Sequence, residues 1–491
     1  MSFDVSNLSL AAAEVFVALM ILAIMLTAAF VRGIARGLAY WLSQLTLIVA
    51  VFITSFTIME TGSDFDFAFN NMFVRDKLGD ILKLMVYLSM MVALLYGRGY
   101  LADRKLDRHE YYLLALLTTL GMMVMITANH LLVLYIGLEM MSLALYALVA
   151  FDRDTTRSTE AGMKYFVLGA LASGLVLYGM SMIYGATNGA LELSAIHEAV
   201  TSPEGNKTVL LLGLVFLVAG ISFKLGVAPF HMWVPDVYQG SPTAVTLILS
   251  SASKLAAFAL AMRLLAEALP GLIGHWKTML LFVIAVSLVL GNLAALIQHN
   301  IKRMLAYSGI SHMGFMLMGF LSSAEASVGT VGYSNAMFYA IAYALMTLAA
   351  FGMIVLLSRE GFEAENIEDF KGLNSRNPWF ALLMLFVMFS MAGIPFFVGF
   401  FAKLSVLTVL LKAGYLWLAV LAVVMSLIGA FYYLRIVKFM YFDEPTDNAP
   451  LKASGELQIM LSINGVAIAL LGPMSGTLLE WCKSAMKTVG G

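Results

Sequence analysis

The sequence predicts an all-α polytopic membrane protein of 14 transmembrane helices, ten of them forming two inverted five-helix repeats, each with a broken helix. Three observations predict it. Of the 491 residues, 61% are hydrophobic and only 12% charged, about half the charged share of an average soluble domain; mean hydropathy is +0.89. Windows of about 20 apolar residues, the length that crosses the hydrocarbon, recur along the whole chain. Two proline motifs recur at nearly one offset.

The windows fall near 10–31, 38–59, 77–97, 111–128, 131–151, 162–187, 208–232, 242–268, 276–298, 302–322, 330–357, 378–411, 414–441 and 455–480. Loops between them are short and no soluble domain fits. The first run follows an acidic start without lysine (Ser2-Phe3-Asp4). A cleavable signal begins with a basic region, so this run reads as a retained first helix.

Basic residues set the orientation. One set of loops carries Arg32, Arg36, Arg98, Arg104, Lys105, Arg108, Arg153, Arg157, Lys302, Arg303, Arg435 and Lys438. The opposite set, around 60–66 and 192–204, is acidic and poor in Lys and Arg. Both termini are therefore expected on the non-cytoplasmic side of the cell inner membrane. The loop 359–377 is mixed in charge and consistent with a cytoplasmic connector.

Internal repetition follows from two pairs. Val227-Ala228-Pro229-Phe230 and Gly393-Ile394-Pro395-Phe396 are offset by 166 residues; Ser253-Lys254-Leu255-Ala256-Ala257-Phe258 and Ser426-Leu427-Ile428-Gly429-Ala430-Phe431 by 173. Five helices separate the members of each pair, so the second copy is inverted, as transporter repeats often are. The expected organisation is a three-helix segment (1–109), a first unit (110–270, helices four to eight), a second unit (271–441, helices nine to thirteen) and a last helix (442–491).

Four ionisable residues lie deep inside these apolar runs: Glu139, Lys224, Lys254 and Lys403. A charge at mid-bilayer costs about 2.5–3.5 kcal/mol on insertion scales, so such residues mark ion paths or buried pairs. Pro229 and Pro395 remove a helical donor and leave carbonyls that need protein or water partners. Either proline alone also suits a plain kink; a lysine near both favours an ion site. Desolvation favours the neutral form of a lysine, and a nearby carboxylate holds its proton. Moving that carboxylate would switch the lysine between loaded and unloaded states.

Glu139 has no basic neighbour within a helical turn, so its partner must come from another helix; a static interhelical ion pair is the plainer alternative. Lys254 stands among Ser250, Ser251 and Ser253. Lys164 either joins the path or snorkels to the interface. His312 either relays protons, since imidazole titrates near neutral pH, or is simply hydrogen-bonded. It belongs to a polar seam with Asn292, Gln298, His299, Lys302 and Arg303. Asp236, beside Pro235, reads as a proton-uptake point or a helix cap, and Glu14 and Arg263 are weaker candidates.

Composition excludes other classes. A net charge of −1 argues against nucleic acid as a partner. The single cysteine, Cys482, can form neither an internal disulfide nor an iron–sulfur ligand set. The 34 Met residues are scattered as packing filler, and the histidines lack metal-ligand spacing. There is no phosphate-binding loop, no dinucleotide turn and no catalytic triad context.

The run from Phe223-Lys224-Leu225-Gly226-Val227-Ala228-Pro229-Phe230 to Pro235-Asp236-Val237-Tyr238-Gln239-Gly240-Ser241-Pro242 resembles the signature of the antiporter-like membrane subunits of respiratory complex I. Pro235 to Gly240 looks like the N branch of that family in bacterial NADH-quinone oxidoreductase, equivalent to mitochondrial subunit two. Gly291-Asn292-Leu293-Ala294-Ala295-Leu296, Asn300-Ile301-Lys302-Arg303-Met304 and Ala392-Gly393-Ile394-Pro395 also fit, and the resemblance covers roughly 110–440. It implies redox-driven proton pumping, with Glu139 and Lys224 as a coupled pair, Lys254 as the bridge and Lys403 on the exit side. A lysine at 403 matches the N branch better than the M branch, which resembles this pattern with glutamate there; no long lateral helix of the L branch is expected. The resemblance also implies no cofactor in this chain. Flavin, iron–sulfur clusters and quinone belong to partner subunits, and the neighbours are the antiporter-like M subunit, small subunits such as K and J, and the lipid bilayer. A subunit of a cation/proton antiporter or membrane hydrogenase of the same fold is the alternative, and a scaffold whose buried charges only lock helices together is a third.

Overall fold

The computed structural model describes residues 5–30, 35–60, 65–201, 206–445 and 453–486. The acidic start 2–4, Arg32, the 61–64 part of the first acidic loop and Glu204 lie outside them. A short α1 (Val5–Leu10) leads into α2 (Ala12–Phe30) and α3 (Ala35–Glu60). An antiparallel hairpin follows, β1 (Phe65–Ala68) on β2 (Phe73–Asp76), with Phe65 opposite Asp76. Asp76 ends the hairpin and caps α4 (Lys77–Asp103), its Oδ1 accepting from Gly79 N at 2.7 Å. Such a cap satisfies one of the orphan donors of a helix N-terminus.

The first half continues with α5 (His109–Ile126), α6 (Leu131–Val149), α7 (Thr156–Ala186), α8 (Leu193–Thr201), α9 (Lys207–Leu225), α10 (Trp233–Gly240), α11 (Thr243–Ser250) and α12 (Ala252–Ala261). The last runs on as a π-helical stretch, Met262–Ala268. The second half contains α13 (Ile273–Leu296), α14 (Ile301–Ser323), α15 (Val331–Leu357), α16 (Leu373–Arg376), α17 (Pro378–Ala392), α18 (Val398–Lys412), α19 (Leu416–Phe442), α20 (Gly455–Leu470) and α21 (Ser475–Ala485). Asn300 caps α14 through Arg303 N at 3.0 Å, and Asn377 caps α17 through Phe380 N at 3.2 Å, with Pro378 in the first helical position.

Among the described residues, 12 helices are long and apolar enough to cross a membrane, or 13 if α20 and α21, bent by 88° at their junction, count as one span. Three of the expected segments are interrupted, two at the breaks expected near Pro229 and Pro395 and the third at a bend not expected from the sequence. The 208–232 run stops at Leu225, the 378–411 run divides into α17 and α18, and the 455–480 run bends between Leu470 and Ser475. Each departure falls at a Gly–Pro pairing (Gly226/Pro229, Gly393/Pro395, Gly472/Pro473), where a permissive backbone meets a missing donor.

Burial separates an inner set of helices from an outer one. The span Thr243–Ala268 is 100% buried in its apolar window, and α14 and α15 are 94% buried, against 28% for α2 and 33% for α19. A helix apolar on all sides and buried on all sides is the centre of a membrane bundle. Helix α6 is seated by a glycine contact: a Cβ at Gly137 would stand 2.6 Å from Met125 N, and one at Gly121 2.4 Å from Met141 N. Small residues of this kind let membrane helices meet backbone to backbone.

Candidate functional site

Both interrupted spans end alike. α9 stops because Gly226 adopts a left-handed φ of 75°, and α17 because Gly393 adopts φ 88°. Glycine takes this conformation without a Cβ clash. Pro229 and Pro395 follow within three residues and cannot continue the helix. Each break leaves carbonyls at depth without helical donors, and buried carbonyls need partners.

Lysines supply them. Lys254 of α12 donates from Nζ to Leu225 O at 2.9 Å and to Lys224 O at 3.4 Å. Lys403 of α18 donates to Met391 O and Ala392 O, both at 3.0 Å, and to Ser426 Oγ of α19 at 2.9 Å. A cation at a helix C-terminus also meets the negative end of the helix dipole. Other donors complete the first break: Trp233 Nε1 bonds Phe223 O at 3.0 Å, and Ala228 N bonds Ser287 Oγ of α13 at 2.9 Å. In geometry, Lys254 is thus the counterpart of Lys403, although sequence spacing sets Lys224 beside Pro229.

Lys224, on the last turn of α9, reaches instead to α6, donating to Ser142 Oγ at 2.5 Å. Glu139 lies one turn before Ser142, half-buried, and accepts a hydrogen bond from the Ser173 hydroxyl of α7. Among the described residues no ion pair joins Glu139 to Lys224: each bonds a different serine, Ser173 for Glu139 and Ser142 for Lys224, and the Ser142 hydroxyl itself donates to Leu138 O. Lys224, Lys254 and Lys403 are only 6%, 2% and 8% exposed, which excludes snorkelling to the interface.

His312 of α14 is 3% exposed and held on both ring nitrogens, Nδ1 to Tyr339 Oη at 2.6 Å and Nε2 to Tyr433 Oη at 3.1 Å. Tyr433 also bonds Ser308. The ring thus sits in a chain of exchangeable hydroxyls between α14, α15 and α19. Lys164 lies apart. It is 43% exposed and paired with Glu160 at 2.8 Å and Asp236 at 2.9 Å, and Arg303 reaches the same Asp236 at 2.6 Å.

These groups border a polar cavity of about 240 Å³ at the end of α10, and a second of about 230 Å³ shares Arg157, Gln239 and Gly240 with it. The second is lined by buried Lys302, whose Nζ donates to Ser241 O at 2.7 Å, and by Glu363 and Glu365. Glu365 pairs with Arg157 at 2.7 Å, and Glu363 with Arg104. The 359–377 connector is thereby tied to the arginine-rich end of the molecule. Glu363 and Glu365 escape a reading of the sequence, because their arginine partners lie more than 200 residues away.

A further buried network joins the N-terminal helices. Lys83 pairs with Glu14 at 3.2 Å and with Asp80 at 3.8 Å, Arg75 pairs with Asp80 at 3.3 Å, and Arg263 pairs with Asp76 at 2.7 Å and Glu267 at 2.8 Å. This pairing is what buried charges such as Glu14 and Arg263 require.

Residues 128–429 match the family described as NADH:quinone oxidoreductase/Mrp antiporter, TM. The subunit N of NADH-quinone oxidoreductase from an Azoarcus species is 65% identical over 485 residues, 98% of each chain. The chain belongs to the NADH-quinone oxidoreductase subunit N family. Among solved structures, respiratory complex I from Thermus thermophilus with bound Aureothin contains a chain 31% identical, with a TM-score of 0.81 and coverage of 95% and 98%. The Mrp complex from a Dietzia species shares the fold, with a TM-score of 0.84 at 20% identity over 98% and 97% of the two chains. As a family member the chain is an antiporter-like, multi-pass membrane subunit of an enzyme complex. Among the described residues no group of three or more His, Cys, Asp or Glu is placed to hold a metal ion.

Proposed function

We propose that this chain translocates protons in the membrane arm of NADH-quinone oxidoreductase, driven by electron transfer from NADH to quinone in partner subunits. The observation that carries the reading is the pair of interrupted helices whose carbonyl ends are held by Lys254 and Lys403. A buried ammonium bound to carbonyls and a hydroxyl sits where protons can be gained and lost without a charge facing lipid.

In this reading Glu139 and Lys224 form the input pair, Lys254 bridges, and Lys403 releases the proton on the far side. The hydroxyl chain around His312 serves as a relay beside Lys403. Asp236, Lys164 and Arg303 border the vestibule on the arginine-rich side, which the positive-inside rule makes cytoplasmic. Both termini then lie opposite. Counting α17 with α18 as one interrupted span, and α20 as a span with α21 lying along the surface, adds two to the 12 helices above and makes fourteen. The similar breaks at Gly226 and Gly393 support two inverted units, 110–270 and 271–441, after a three-helix segment 1–109 and before a last unit 442–491. Flavin, iron–sulfur clusters and quinone belong to partner subunits in this reading, and the M, K and J subunits are the expected neighbours.

The test is proton-to-electron stoichiometry of the reconstituted complex carrying Lys224→Ala or Lys403→Ala. Assembly with sharply reduced pumping is expected. An assembled variant with unchanged stoichiometry overturns the assignment. Flavin and iron–sulfur subunits co-purifying with the chain separate this reading from a cation/proton antiporter of the same fold.

A further inference from the structure

The cleft between α15, α18 and α21 lies outside the proton path. It measures about 310 Å³, and its walls include Phe338, Phe401, Leu404 and Leu479. The bend between α20 and α21 lays α21 across the ends of α15 and α18. Leu404 and Leu411, both exposed, continue the apolar surface along α18, so the cleft opens sideways onto the membrane-facing side of the bundle.

Besides the hydroxyls of Ser405, Thr408 and Ser475, two polar features interrupt this wall. Lys412, the last residue of α18, and Lys483, in the last turn of α21, stand at the rim. Lys483 is paired with Glu480 at 2.7 Å. Lys412 has no carboxylate within 4.0 Å among the described residues, and α15 contributes no charge, so the rim carries one uncompensated cation. The second feature is Asn335, which is 4% exposed and lines the cleft. Its Nδ2 donates to Ser405 O at 2.9 Å, but its Oδ1 has no donor among the described residues.

An apolar slot open to lipid, a cationic rim and a buried acceptor awaiting a donor match one kind of molecule. We propose that this cleft binds an anionic glycerophospholipid of the surrounding membrane. Its phosphate sits between Lys412 and Lys483, one acyl chain lies against α15 and α18, and a headgroup hydroxyl donates to Asn335 Oδ1. An ammonium makes charge-assisted hydrogen bonds to a phosphate, which are shorter and stronger than neutral ones. The site goes beyond the proton-path reading and holds whether or not that reading does.

The assembled complex, stripped of lipid, is tested with phosphatidylglycerol and phosphatidylcholine carrying the same photoreactive acyl chain. Phosphatidylglycerol should label peptides of α15, α18 or α21 several-fold more than phosphatidylcholine in the wild-type complex. Lys412→Gln combined with Lys483→Gln should bring that labelling down to the phosphatidylcholine level, and Lys412→Arg with Lys483→Arg should restore it. Equal labelling by the two lipids overturns the site. So does an absence of labelling by either, which would mean that a protein segment covers the cleft.

Discussion

Lys254 Nζ and Leu225 O stand 2.9 Å apart, so the last carbonyl of α9 is closed by a cation from α12 rather than by its own helix. The second break repeats the arrangement with Lys403 and Ala392 at 3.0 Å. In both places one ammonium does structural and electrostatic service together. It satisfies carbonyls that a broken membrane helix leaves bare, and it puts a titratable group at the break.

Lys254→Met should therefore do two things. It leaves the Leu225 and Lys224 carbonyls without this donor, which costs about 1–3 kcal/mol for an unsatisfied buried group, and it removes the charge. A lower thermal midpoint of the assembled complex and loss of proton pumping are expected. Lys254→Arg keeps a donor and should recover stability more than pumping. A Met variant that matches wild type in both measurements removes Lys254 from the site.

Ser142 is the second test, because Lys224 meets α6 through it at 2.5 Å. Ser142→Ala should cost about 1.5–3 kcal/mol, the range for hydrogen bonds to charged groups, and slow proton uptake in a rapid-mixing assay of reconstituted complex. Ser142→Thr keeps the hydroxyl and should behave nearly as wild type. Equal uptake rates in the Ala and Thr variants would show that the serine is incidental.

Much of this architecture is legible in the sequence because the bilayer imposes a length and a composition on every span. The breaks at Pro229 and Pro395 are legible too, since glycine and proline act locally, whereas the bend at Gly472 and Pro473 reads in the sequence as one continuous span. Partnership is not. Sequence distance puts Lys224 beside Pro229, yet Lys254 holds the break, because α12 packs against the end of α9. Lys164 falls inside an apolar window, but α7 begins at Thr156 and carries it to the polar vestibule. Glu14 looks isolated until Lys83, 69 residues away, is brought to it. Contacts of this kind depend on which faces of distant helices meet, and hydropathy carries no record of that.

The left-handed glycines give a sharper prediction. A Cβ at Gly226 would lie 2.7 Å from Val234 Cγ2, and one at Gly393 2.9 Å from Lys403 Cδ. Backbone strain alone costs an L-residue about 1–2 kcal/mol there, before any displacement of the lysine. Gly226→Ala and Gly393→Ala should lower thermal stability and reduce pumping together. Gly174→Ala is the control: it sits within α7 with nothing within 4 Å of the added carbon, and alanine should stabilise that helix by about 0.5–1 kcal/mol. If all three variants behave alike, the breaks owe nothing to glycine.

Acid sensitivity tests the vestibule. Burial pushes the Asp236 carboxyl up, but the hydrogen bonds from Lys164 and Arg303 outweigh it and hold the group below the usual carboxylate range. Glu365 is likewise held low, burial being outweighed by Arg157. A carboxylate depressed in the folded state contributes stability above its unfolded pKa of about 3.9–4.3, and that contribution is lost as pH falls through the folded value. Asp236→Asn should therefore lower stability at neutral pH and flatten the acid limb of the stability curve, because the difference from wild type shrinks as Asp236 becomes protonated. Arg303→Gln removes one of the two donors and should start the acid loss at higher pH. The measurement is the thermal midpoint of the detergent-solubilised complex as pH is lowered from neutral. An Asp236→Asn curve that stays parallel to wild type through the acid range would mean that the carboxylate contributes nothing through its charge.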